Sequence, residues 1–122
     1  MKASEVIYSN LGPLFDSNVW PLVRPEGEKG LPYLVYTVLN TNATNVISGY
    51  TGREMAYLQL DVYHNNYDGC EDTTNEMIRI LNQNVKPFHY DSRRYIYDEE
   101  GKLYRQSIEC HIWQTNKQTP TP

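Results

Sequence analysis

No apolar stretch of this chain approaches the roughly 20 residues that span a bilayer. The opening MKASEVIYSN contains no apolar core of signal-peptide length, so a cytoplasmic protein is expected. Basic residues are also scarce. Eleven Lys and Arg against fifteen Asp and Glu give a formal net charge of −4. That balance, with no basic stripe, argues against sequence-specific nucleic-acid binding. The only cysteines are Cys70 and Cys110, expected as free buried thiols in a reducing compartment. Phenylalanine occurs twice and tyrosine eleven times. Tyrosine joins an apolar body to a polar tip and suits interfaces, although strand propensity alone would also enrich it.

The usual carriers of chemistry are missing too. Cys110 and His111 are adjacent in an expected strand and point to opposite faces, so they form no nucleophile–base pair. His64, His89, His111 and Asp61 lack the close spacing of zinc ligands. The segment NYDGCED lacks the calcium-loop pattern, and no glycine-rich phosphate loop joins a strand to a helix. Glu99-Glu100 reads as a solvated hairpin tip and Arg93-Arg94 as a solvated edge. Neither metal nor cofactor is expected.

What is present is the pattern of one small domain. A chain of 122 residues suits one domain that needs no disulfide to stand. Ile7, Leu11, Leu14 and Phe15 make a helical stripe, with Gly12-Pro13 dividing it into two short pieces. Val19–Val23 reads as a strand placed at an edge by Pro21. Leu31–Leu39 is apolar on both parities, as in a strand covered on both faces. Asn40–Asn45 reads as a polar loop, its Asn42 sequon a chance match, and Ser48–Gly52 as a turn.

From Arg53 to His64 the alternation is clear. Ala56, Leu58, Leu60 and Val62 form a core face; Met55, Tyr57, Gln59, Asp61 and Tyr63 form the other. Asp68 with Glu71 suggests a capping box for a helix whose Met77, Ile78, Leu81 and Val85 share one side and which stops near Lys86-Pro87. A hairpin then turns at Asp98–Gly101, with Gly101 expected in the left-handed conformation. In its second strand Ile108, Cys110 and Ile112 face inward, opposite Arg105, Ser107, Glu109, His111 and Trp113. The order α-β-β-β-α-β-β predicts an α+β domain over residues 1–115: a single mixed or antiparallel sheet of about five strands, with two helices on one face. Residues 116–122 are expected to be a disordered tail.

Three segments carry a resemblance: VWPLVRPEGEKGLPYLVYTVL, LQLDVYHNNYDGCEDTTNEMIRILN and KLYRQSIECHIW, which together run from Val19 to Trp113. Their order and spacing resemble the tail-completion, or tail-terminator, proteins of long-tailed bacteriophages, often prophage-encoded. The resemblance implies a non-enzymatic homo-oligomeric ring, typically of six subunits. Such a ring caps the tail tube, stops its growth and offers a surface to the head connector. It also implies assembly in the bacterial cytoplasm and residence in the virion tail. The Asn40–Gly52 segment is not fixed by the family pattern; lining the lumen, touching the tube and linking the strands are all open to it.

A ring needs lateral surfaces, and interface cores favour Tyr, Trp and Arg. Tyr57, Gln59, Asp61 and Tyr63 on one strand, and Arg105, Glu109, His111 and Trp113 on another, fit that profile as two strips on opposing partners. Two alternatives compete with assembly. One is a small-ligand module with a tyrosine-lined pocket between sheet and helices. The other is an enzyme pairing His64 or His111 with a carboxylate.

Overall fold

A computed structural model describes residues 2–115. The elements follow the expected order: α1 (Ala3–Leu11), β1 (Val19–Pro21), β2 (Tyr33–Val46), β3 (Gly49–His64), α2 (Tyr67–Asn84), β4 (Phe88–Asp98) and β5 (Leu103–Thr115). The disorder expected for residues 116–122 lies outside the described residues.

The five strands form one mixed sheet in the order β1-β2-β3-β5-β4. Three-residue β1 runs parallel to β2 at the edge, as Pro21 requires, and every other pairing is antiparallel. The connection through α2 carries the chain past β5 to the far edge, and the β4–β5 hairpin brings β5 back beside β3.

Both helices lie on one face because the apolar stripes match there. Ala3, Ile7 and Leu11 of α1 and Cys70, Met77 and Leu81 of α2 are buried against Leu34, Leu58, Leu60, Val62, Ile108, Cys110 and Ile112. Gln114 Oε1 accepts from Ala3 N at 3.0 Å and ties the start of α1 to β5. The inner parity of β3 and β5 is as the alternation predicts.

Several local expectations are corrected. The second piece of the first helix is a run of turns over 12–17, with Asp16 and Ser17 at positive φ. The cap of α2 is Asn66, whose Oδ1 accepts from Gly69 N at 2.8 Å, rather than Asp68, which falls in the first turn. Asn66→Ala should therefore cost ~1 kcal/mol in a urea titration, more than Asp68→Ala, which removes only a favourable charge near the helix N-terminus.

Glu71 does not close a capping box. It reaches sideways to Arg93 Nη1 (2.9 Å) and to Gln106 Nε2 (3.1 Å). Arg93 is accordingly no solvated edge residue: it also donates to Asn75 Oδ1 and Tyr95 Oη, fastening β4 to α2. At the β4–β5 turn, Lys102 rather than Gly101 takes the left-handed conformation (φ 53). A Cβ at Gly101 would stand 2.9 Å from Asp98 Oδ2, so a larger residue there would displace the Asp98 carboxylate that accepts from Glu100 N and Gly101 N.

The largest departure is Asn40–Asn45, which is strand, not loop. β2 and β3 continue as a ribbon to a two-residue turn at Ile47-Ser48, where Val46 pairs with Gly49. Gly49 (φ 119) takes the positive-φ position just after the turn, in place of the turn expected at Ser48–Gly52. Polar residues suit this strand because both of its faces are wet. The two-sided cover expected of Leu31–Leu39 holds only from Leu34 to Tyr36; Val38 and Leu39 are exposed.

Candidate functional site

The helices leave one face of the sheet open, and the eight residues chosen from the sequence share it. Pairing of β3 with β5 sets Tyr57 opposite His111, Gln59 opposite Glu109, and Tyr63 opposite Arg105, with Asp61 opposite Ser107 and Met55 opposite Trp113. Sequence reasoning assigns the two strips to opposing partners; the register instead makes them neighbours within one subunit. They form a single ladder of cross-strand pairs.

The ladder is wired along its length. Tyr63 stacks on Tyr33 with centroids 4.6 Å apart, and the Arg105 guanidinium stands 5.9 Å above the Tyr63 ring. Burial pushes the Tyr63 phenol above its ordinary pKa, against the pull of Arg105. Gln59 Nε2 donates to Asp61 Oδ2 at 3.0 Å, and Arg105 Nε lies 3.6 Å from Asp61 Oδ1, an ion pair too long for a hydrogen bond. Asp61 is only 5% exposed. Its Oδ1, Arg105 Nε and Ser107 Oγ lie buried together at mid-strip with no protein hydrogen-bond partner among the described residues. Towards the other end, the His111 ring lies 5.0 Å from Tyr57 and stacks on His89 at 4.5 Å. Arg53 covers Trp113 at 4.5 Å.

Sequence reasoning misses three members of this face. Tyr33 belongs to a strand read as doubly covered. His89 is considered there only as a metal ligand. Asp91, whose Oδ2 sits 2.8 Å from His111 Nδ1, is hidden by a bulge between Tyr90 and Ser92. The extra residue exchanges the parity of β4: Phe88 and Tyr90 pair at inward positions before it, Arg93 and Tyr95 after it.

His111 and Asp91 are a histidine–carboxylate pair within hydrogen-bond reach, but they stand on an open sheet rather than in a cleft. His64 is engaged elsewhere, with Nδ1 accepting from Asn66 N at 3.3 Å. Most of the space between sheet and helices, where the alternative places a tyrosine-lined ligand pocket, is filled by the core. A groove of about 500 Å³ opens between α1 and the edge of the sheet, lined by Ser4, Pro21, Leu22, Tyr36 and Val38, with one tyrosine and no histidine or carboxylate. Among the described residues no group of three or more His, Cys, Asp or Glu side chains is placed to hold a metal, and no helix is long and apolar enough to cross a membrane. Both cysteines are free and buried, as expected.

No protein-family model matches the chain, and no curated protein matches it. Among solved structures it is similar to a chain in the virion of a native gene transfer agent particle. The TM-score is 0.66 at 10% identity, over 88% of this chain and 90% of the other. At that identity the likeness is one of fold, and it runs nearly end to end.

Proposed function

We propose that this chain is a non-enzymatic structural protein of a phage-like virion. It assembles side by side into a ring that caps the tail tube, ends its polymerisation and offers the surface to which the head connector joins. The observation that carries this reading is the fold shared over nearly its whole length with a chain of a virion. The three tail-terminator-like segments between Val19 and Trp113 add to it.

A head-to-tail contact closes into a ring when its rotation divides a full turn, and six subunits is the expected number. The strip Tyr57, Gln59, Asp61, Tyr63, Arg105, Glu109, His111 and Trp113 supplies one side of the contact between neighbours. It has the aromatic and arginine content of an interface core, and the helices do not cover it. Partners are further copies of the chain, the tail-tube protein and the head-connector protein, met in the bacterial cytoplasm and kept in the virion tail. A net charge of −4 suits a channel through which DNA passes without being held.

Deleting the reading frame from the element that carries it should leave tail tubes of widely scattered length and heads without tails, counted by electron microscopy. Tubes of one uniform length, joined to heads, would overturn the reading.

A further inference from the structure

The β2–β3 ribbon leaves the body of the domain. Among the described residues β1 pairs only with Leu34–Tyr36 of β2, and β5 pairs with β3 only from Arg53 onward. Among the described residues no third strand pairs with them beyond these points. The ribbon's tip is apolar: Val46 is exposed, and Ile47, at 109%, is fully so. No charged residue lies between Lys29 and Arg53.

An uncharged groove of about 500 Å³ opens at the other end of β2, between α1, β1 and the inner face of Tyr36 and Val38. Leu22 on its wall is 71% exposed and held at φ 64, with Val23 N bonded to Pro21 O at 2.6 Å around it. That three-residue turn is rare and strained for a leucine, and it fixes an apolar side chain at the groove's rim.

We infer that the tip of one subunit's ribbon, Val46-Ile47, seats in the Leu22–Val38 groove of the next subunit. The occupant is a second copy of this chain because the chain's own tip cannot reach. Eight residues of paired strand separate Val38 from Val46, which carries the tip roughly 25 Å away from the groove. Both surfaces are apolar and uncharged, and the groove accommodates more than one aliphatic side chain. Tip and groove are different surfaces, so the contact is head-to-tail, the kind that a ring repeats. The inference rests on the side-by-side assembly proposed above and names what fastens it.

Sedimentation of the full chain up to ~1 mM tests it, a range that detects even weak self-association. Ile47→Asp alters a side chain with no contacts to lose, and Leu22→Asp introduces a residue that tolerates positive φ, so both variants should fold. Wild type should associate, and each variant alone should do so on the order of 100-fold more weakly. A 1:1 mixture should form heterodimers and stop there. The Leu22→Asp chain keeps a tip and the Ile47→Asp chain keeps a groove, which leaves one good contact per pair. Wild-type association that neither variant weakens would overturn the tip-in-groove contact while leaving the ring standing. A mixture that stays monomeric, or a wild type monomeric throughout, would also overturn it, with the tail-length experiment then deciding the ring separately.

Discussion

Replacing Leu60 with alanine should lower the unfolding free energy by about 2–5 kcal/mol, more than Asn66→Ala or Cys110→Ala. Leu60 has no exposure at all; it sits mid-way along β3, between Tyr36 of β2 and Ile108 of β5. The neighbours sit on three paired strands and cannot collapse into the space, so the cavity adds to the lost burial. For a domain with roughly 5–15 kcal/mol in hand, that is a large share. Thermal melting should show a fall of roughly 8–20 °C. An unchanged melting temperature would mean that β3 is turned over, which would bring the Tyr57–Tyr63 strip inside and remove the assembly face with it. The same measurement thus bears on fold and function together.

How far such a face can be read from sequence depends on periodicity. β3 and β5 each have one apolar face and one polar or aromatic face, so alternation reveals their parity and puts all eight strip residues on one side. Their adjacency cannot be read in that way. β4 and β5 announce themselves as a hairpin, but nothing local says that β5, rather than β4, lies beside β3. The pairing is decided by α2, whose buried stripe of Cys70, Met77 and Leu81 needs a sheet with the dry faces of β3 and β5 side by side. Bulges hide more. One extra residue at Leu39 and another at Asp91 reverse the parity of their strands and disguise which side chains share a face.

The ribbon fails for a different reason. A strand wet on both faces need not alternate, so Asn40–Asn45 carries the composition of a loop while holding strand geometry. The signals that were available are Val46-Ile47 inside a polar segment and the long absence of charge around it. The helix cap is a choice between two good capping residues two positions apart, and Asn66 wins because its Oδ1 reaches Gly69 N.

Alkali should destabilise this protein through a thiol. Cys110 lies on the dry face of β5 at 1% exposure, and burial, helped by the nearby Asp91 charge, pushes its pKa from 9.0 up to about 12. The unfolded chain releases that proton near pH 9 and the folded chain holds it to about pH 12. The folded state therefore binds more protons between these values, and stability falls as pH rises. The slope from this one group is about 1.4 kcal/mol per pH unit, or about 2 kcal/mol lost by pH 10.5. Cys70, Tyr36 and Tyr63, whose pKa values burial also raises, act in the same direction. Cys110→Ala isolates the effect. At pH 8 the variant should be less stable than wild type by the small cavity it leaves, on the order of 1–2 kcal/mol. By pH 10.5 the gap measured in urea should have closed or reversed. A gap that stays constant with pH would mean that the thiol ionises freely in the folded protein. Burial on the dry face of β5 would then not govern the ionisation of Cys110, and the alkaline loss of stability would have to come from Cys70, Tyr36 and Tyr63.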